Sequence, residues 1–274
     1  SEIVADLTVI NESGSVVATI EKFRCRRVTK SKEQQTAAGA AFYRERWAEI
    51  AGADAADTAV PSSDDGAWLI LCDRRGVGTD LAQALNERGT ATVCVFAGEE
   101  FRPLDANRFE SSSRYQDLLA VLGAVNAPLS HIVHLWPLDE PGHALSAAEI
   151  RSSQRLGTEA LIALARAAAS LPKKPRLAVA TAGAVAFEGQ SPAVASIQHA
   201  MLTGAARTIG NEFPEMKPQI VDLDPNDTSA AALLREILGD GGESEIAIRA
   251  GVSHGCRLER ALEDTLPMRR VPWD

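Results

Sequence analysis

The chain has 274 residues, 45% of them hydrophobic, and a formal net charge of −9. That length can bury a substantial core as one α/β domain with or without appendages, while an acidic excess with no Lys/Arg-rich face argues against a nucleic-acid partner. No apolar run reaches the length needed to span a bilayer, and "SEIVADLTVI" lacks the basic and apolar regions of a secretory leader, so a cytoplasmic protein with no membrane partner is expected.

Residues 1–28 contain two alternating apolar runs around Asn-Glu-Ser-Gly, the pattern of a β-hairpin. The alternation gathers Val4, Leu7, Val9, Val17 and Ile20 toward one apolar face. A lone two-stranded hairpin is marginal in water, so this one is expected to dock, fray or be covered by another chain. Residues 29–65 are largely polar and read as linker, interrupted by "FYRERWAEI", whose Phe42, Tyr43 and Trp47 are aromatic anchors. Phe42 or Trp47 is expected to pack on the layer that follows, because large apolar side chains are costly to leave exposed.

From residue 66 the pattern changes. "AWLILC" reads as a strand, "TDLAQALNERG" as a helix, "TATVCVFAG" as a strand and "SSRYQDLLAVLGA" as a helix. "SHIVHLWPL" is the next strand, followed by one long helix over "SAAEIRSSQRLGTEALIALARAAAS". "PRLAVATAG" and "PQIVDLD" are strands separated by the helix "AVASIQHAMLTGAARTIGNE"; "TSAAALLREILG" is a helix, "SEIAIRAG" a last parallel strand, and "CRLERAL" extended chain. Continuous apolar strands alternating with crossover helices imply an α/β fold, a doubly wound, Rossmann-like parallel sheet covered on both faces. The body is placed at residues 66–262, with 263–274 as an exit linker.

The loop "LCDRRGVGTDLAQAL" stands where such a fold holds a dinucleotide. Gly76 and Gly78 fit the first two glycines of G-x-G-x-x-G, but Leu81 takes the third place. In the short-chain dehydrogenase version, T-G-x-x-x-G-x-G, the Thr-Gly falls on Leu71 and Cys72. Asp73 would set a negative charge beside a pyrophosphate, with Arg74 and Arg75 able to offset it. Gly76 and Gly78 are therefore read as a vestigial loop, and no cofactor-binding residue is expected. Carbonyl reduction in that family uses a Tyr with a nearby Lys. The chain has only Tyr43, ahead of the sheet, and Tyr115, on an early helix; the helix after "LAVATAG" carries neither Tyr nor Lys, and its His199 reads as structural. "GQSPA" (189–193) imitates a G-x-S-x-G nucleophile elbow, but Pro192 lacks the N–H such an elbow needs. No catalytic residue is assigned. Cys25, Cys72, Cys94 and Cys256 are scattered and read as reduced thiols, and His131 and His134, three apart on a strand, point to opposite faces. No metal site is expected.

"WLILCDRRGVGTDLAQAL", "IVHLWPLD", "LAVATAGAVAFEG", "TGAARTIGNEFPE" and "QIVDLD", in this order, resemble the structural, non-catalytic subdomain of the ketoreductase in type I polyketide synthases. "FYRERWAEI" is similar to the aromatic segment leading into that subdomain, and "GSVVATIEKFRCRRV" to the last hairpin of a preceding dehydratase domain. The resemblance implies a truncated Rossmann fold that binds no cofactor itself and supports the catalytic ketoreductase half. Alternatively it is a pseudo-ketoreductase kept for architecture. NADPH and phosphopantetheine are then expected in the parent multienzyme, a homodimer, with the catalytic ketoreductase, dehydratase and enoylreductase domains as partners. Two other readings stay open. An NADP-dependent oxidoreductase with an atypical loop would use Glu99 on the ribose; an interaction module for a carrier protein is disfavoured by the acidic surface.

Overall fold

The computed structural model describes residues 2–10, 13–26, 42–50, 66–139, 146–185, 187, 197–239 and 242–261. The chain divides into two compact units, Ser1–Arg44 with Leu258–Asp274, and Glu45–Arg257.

In the first unit β1 (Glu2–Ile10) pairs antiparallel with β2 (Val16–Arg26). Leu7 lies opposite Ile20 and Ala5 opposite Phe23, whereas Val4 faces Arg24 on the other side of the pleat. The apolar face is therefore built from Ala5, Leu7, Ile20 and Phe23, not from Val4 with Leu7. A bulge beside Leu7, where Lys22 takes φ 55°, shifts the register in a way that alternation alone does not reveal. Leu7, Ile20 and Phe23 are all exposed.

The larger unit carries a 10-stranded sheet. Its strands are β3 (Phe42–Glu49), β4 (Ala67–Cys72), β5 (Thr92–Ala97), β6 (Arg102–Pro103), β7 (Arg108–Ser111) and β8 (Leu129–His134). They continue with β9 (Arg176–Ala182), β10 (Gln219–Leu223), β11 (Glu245–Arg249) and β12 (Val252–Ala261). The order is β3-β12-β11-β10-β9-β8-β4-β5-β7-β6, and the end strands β3 and β12 run past the bounds of the unit. From β7 through β11 the pairing is parallel, and β11–β12 and β6–β7 are antiparallel. Counted from β4, the parallel strands run 3-2-1-4-5-6-7, the doubly wound order with its reversal between β4 and β8.

All six residues of β4 are buried, because both faces of the sheet are covered. Trp68, Ile70 and Cys72 pack with Leu81 and Leu85 of α1 (Val77–Asn86) and Leu233 and Ile237 of α6 (Ala230–Leu238). Leu69 and Leu71 face the other core, with Val121 of α2 (Tyr115–Ala124), Leu161 and Leu164 of α4 (Ala160–Ala168), and Leu202 and Ile209 of α5 (Ala200–Glu212). Each such side chain contributes about 1.5–3 kcal/mol by leaving water.

Three elements differ from the sequence expectation. Within the segment expected as linker with an aromatic anchor, residues 42–49 form β3, whose neighbour in the sheet is β12; Ile50 N–H donates to the Ser253 carbonyl at 2.9 Å. Charges on both faces of this edge strand, at the consecutive Arg44, Glu45 and Arg46, hide its period. Trp47 is half-buried with its ring 6.2 Å from that of Phe187, as the anchor reading expected, while the side chain of Phe42 lies outside the described residues. The long helix after β8 is broken into α3 (Ala147–Ser153), capped by Ser146 and Glu149, a π-turn (Arg155–Glu159) and α4. The His134 ring meets the Gly157 carbonyl at 3.2 Å inside that turn, a side-chain partner that competes with the regular helical ladder. Finally, the short polar β6 and β7 extend the sheet beyond β5, too brief to show a period.

Candidate functional site

In a doubly wound sheet, ligands gather outside the carboxyl ends of the strands. The first corner of that rim is the turn from β4 into α1. Gly76 adopts φ 103°, a conformation only glycine takes without strain, and turns the chain into the helix. Gly78 sits so close to β4 that a methyl group there would come within 2.8 Å of Cys72 Cα, so this glycine serves helix–strand packing. The helix start is already filled. Asp73, 2% exposed, accepts from Gly78 N–H at 2.7 Å through Oδ1, and from Arg75 N–H at 3.0 Å and Val77 N–H at 3.3 Å through Oδ2. These amides and the positive end of the helix dipole are the groups a nucleotide phosphate would use. Asp139, from the 3₁₀ turn Trp136–Asp139, closes the loop from outside by accepting Arg74 N–H at 2.6 Å. Burial raises the Asp139 carboxyl above its ordinary range, against the pull of Arg74 N–H.

The second corner lies at the ends of β9, β10 and β11. Asp222, 1% exposed, accepts from Thr181 Oγ1 at 2.6 Å, Ala184 N–H at 2.8 Å and Val185 N–H at 3.1 Å, and pairs with Arg249 Nη2 at 2.5 Å. Arg249 also donates to the carbonyls of Asp222, Leu223, Ile248 and Val185, and its guanidinium carbon lies 5.2 Å from the centroid of the Phe187 ring. An open groove of about 510 Å³ adjoins this corner, lined by Trp47, Thr181, Thr203, Arg207, Asp222 and Glu245. Sequence reasoning missed this pair. Its signal was a lone acid in "QIVDL" and a lone base in "EIAIR", opposite charges within apolar strands that a parallel sheet makes neighbours.

The remaining candidates are dispersed. His131 stacks on Trp68 at 4.0 Å, while His134 meets Trp136 edge-on from the other face, the opposite pointing that the strand period predicts. His134 is wholly buried, and burial pushes its pKa down to about 4, so the ring is neutral. His199 lies 2.8 Å from the Pro137 carbonyl through Nε2, with its pKa lowered by burial. Tyr43 is exposed on β3, and Tyr115 begins α2 with the Arg166 guanidinium 5.1 Å over its ring. Glu99 is exposed past β5, its carbonyl accepting from Arg114. The stretch 189–193 lies outside the described residues. Among the described residues no His, Cys, Asp and Glu side chains cluster as a metal site, and no helix is long and apolar enough to cross a membrane.

Strand order, two-sided helix cover and the glycine turn into α1 define a Rossmann-type domain of the short-chain-dehydrogenase kind. Solved structures share the fold. A keto acid-selecting NRPS module, with adenylation, ketoreductase and pseudo Asub domains, superposes with a TM-score of 0.74 at 20% identity, over 85% of this chain and 20% of that one. An A1-type ketoreductase superposes with a TM-score of 0.55 at 26% identity, over 80% of this chain and 42% of that one. Residues 28–258 match the family "Polyketide synthase extender module SpnB, Rossmann fold domain", and the chain belongs to that family. It is thus a ketoreductase-like Rossmann domain of the polyketide synthases. A mycocerosic acid synthase-like polyketide synthase of Mycobacterium tuberculosis is 25% identical over 266 residues, 93% of this chain but 11% of the relative. A phenolphthiocerol/phthiocerol polyketide synthase of the same organism is 38% identical over 88 residues, 31% of this chain and 4% of the relative. The chain therefore spans a small part of the curated relatives it matches.

Proposed function

We propose that this domain is the non-catalytic, structural half of a polyketide synthase ketoreductase region, a scaffold that supports a catalytic half elsewhere in the parent multienzyme. The observation that carries the reading is Asp73, whose carboxylate lies on the amides at the start of α1 that a dinucleotide would need. The residues present do not fit a pyrophosphate: it would have to displace a buried carboxylate and approach Cys72 where a glycine would leave room. α5, "AMLTGAARTIGNE", offers no Tyr or Lys for proton delivery to a ketone. In this reading NADPH and phosphopantetheine act on other domains of the same chain, and the partners are the catalytic ketoreductase subdomain and neighbouring dehydratase and enoylreductase domains. The test is consumption of NADPH with a β-ketoacyl thioester. The 274-residue chain should show none above the protein-free rate, and measurable turnover would overturn the reading in favour of an oxidoreductase with an atypical loop.

The exposed Leu7, Ile20 and Phe23 of the hairpin support a second element of the same proposal. Residues 1–28 end a dehydratase sheet that covers this apolar face in the parent, and the domain proper is the Rossmann body expected at residues 66–262 together with β3, which the sheet takes in. Deleting residues 1–28 should leave cooperative unfolding at nearly the original temperature. Loss of the transition would place the hairpin in the fold of the body instead.

A further inference from the structure

α1 and α6 lie on the same face of the sheet, each crossing between two parallel strands, β4 to β5 and β10 to β11. Both therefore run from the carboxyl rim of the sheet to the opposite rim, and the two helices point the same way. An open groove of about 730 Å³ lies along them. Its two walls repeat one pattern at four-residue spacing: Asp80, Ala84 and Arg88 from α1, and Asp227, Ala231 and Arg235 from α6. Residues four apart form a ridge on a helix surface. Asp227 precedes the Ser229 cap of α6, and Arg88 follows the last turn of α1, with Nη1 donating to the Ala84 carbonyl at 3.0 Å. Each ridge thus starts with an acid and ends with a base, about 12 Å further along the helix direction. Asp80, Arg88 and Asp227 are exposed.

We propose that this groove is a self-complementary surface that pairs with the same groove of a second copy of this chain. A two-fold axis lying in the contact, at right angles to both helices, sets each helix antiparallel to its own copy. Asp80 then meets the partner's Arg88, Asp227 meets the partner's Arg235, and symmetry makes each contact twice. The parallel arrangement would set acid against acid and base against base, so charge fixes the direction of pairing. A partner surface of one sign would be attracted to one end of the groove and repelled from the other. The neighbouring acids are held within the fold. Glu87 accepts from Gln83 Nε2 at 2.9 Å, and the buried Glu236 accepts from Ser253 Oγ at 2.7 Å. Glu236 also accepts from Arg235 Nε at 3.2 Å, which anchors the base of the α6 ridge, while Asp80 and Arg88 of the α1 ridge extend from an exposed surface.

The test is the molar mass of the 274-residue chain in solution, read by sedimentation equilibrium at about 50 mM and about 500 mM salt. The native chain should dimerise at the lower salt, with a dissociation constant about tenfold larger at the higher. Two variants confined to the α1 ridge leave the Arg235–Glu236 contact alone. Asp80→Lys makes that ridge basic at both ends, and Arg88→Glu makes it acidic at both ends. Each variant by itself should dimerise about tenfold more weakly than the native chain. An equimolar mixture of the two should recover native affinity as a heterodimer, because every acid again faces a base. Asp80→Asn, which removes a charge without adding one, should weaken the dimer about threefold and keeps the test open if a charge reversal disturbs the fold. A native chain that stays monomeric at about 100 μM, or a mixture no tighter than its components, overturns the proposal. So does a dimer indifferent to salt and to all three variants, which would place the contact on the apolar face of the hairpin.

Discussion

The rim of the sheet carries two buried carboxylates, held in contrasting ways. Asp73 rests on the backbone amides of Arg75, Val77 and Gly78 at a helix start. Asp222 takes the amides of Ala184 and Val185 and the Thr181 hydroxyl, but its charge is balanced by the guanidinium of Arg249. At the first corner the carboxylate occupies the anion position of a helix dipole, standing where a ligand would stand. At the second, an ion pair ties three strand ends to the loop after β9. One rim thus carries two internal joints, held by two different kinds of electrostatics.

The sharpest way to break the comparison is Arg249→Ala. It leaves Asp222 buried without its counter-charge, and the loss should be about 3–5 kcal/mol, read from denaturant unfolding. Asp222→Asn in that background should recover part of the loss, because the uncompensated charge is gone; no recovery would mean that Arg249 acts through packing on Phe187 instead. A smaller effect is expected from Asp73→Ala. Its partners are amides that water can reach once the side chain is removed, so the cost should be about 1–3 kcal/mol. Equal losses at the two corners would show that the ion pair adds nothing beyond the amide contacts.

Much of this architecture was legible because covered parallel strands announce themselves. "AWLILC", "LAVATA" and "QIVDL" are apolar runs of strand length bounded by turns, and the helices between them keep a 3.6-residue period. The glycine loop was also readable as a departure from the phosphate-loop pattern, since Cys72 and Asp73 stand where that pattern has small, uncharged positions. What the sequence withheld depends on contacts between distant segments. β3 hides its period under Arg44, Glu45 and Arg46, and its place beside β12 is a long-range fact. The π-turn depends on His134, which reaches Gly157 from a different strand. Asp73 looked like an obstacle to a cofactor; that its carboxylate sits on the amides at the start of α1 needed the turn geometry, with Gly76 at φ 103° folding the amides back over the carboxylate. The Asp222–Arg249 pair joins strands β10 and β11 across a crossover helix, beyond the reach of any local pattern.

The central claim is that the turn from β4 into α1 is closed to a dinucleotide by its own carboxylate. Titration of the 274-residue chain with NADPH, following the enhancement of nicotinamide fluorescence, tests it most directly. The account predicts no saturable signal. A one-to-one saturable enhancement, abolished by bulk at Gly76 or Gly78, would contradict it and make the loop a working cofactor site.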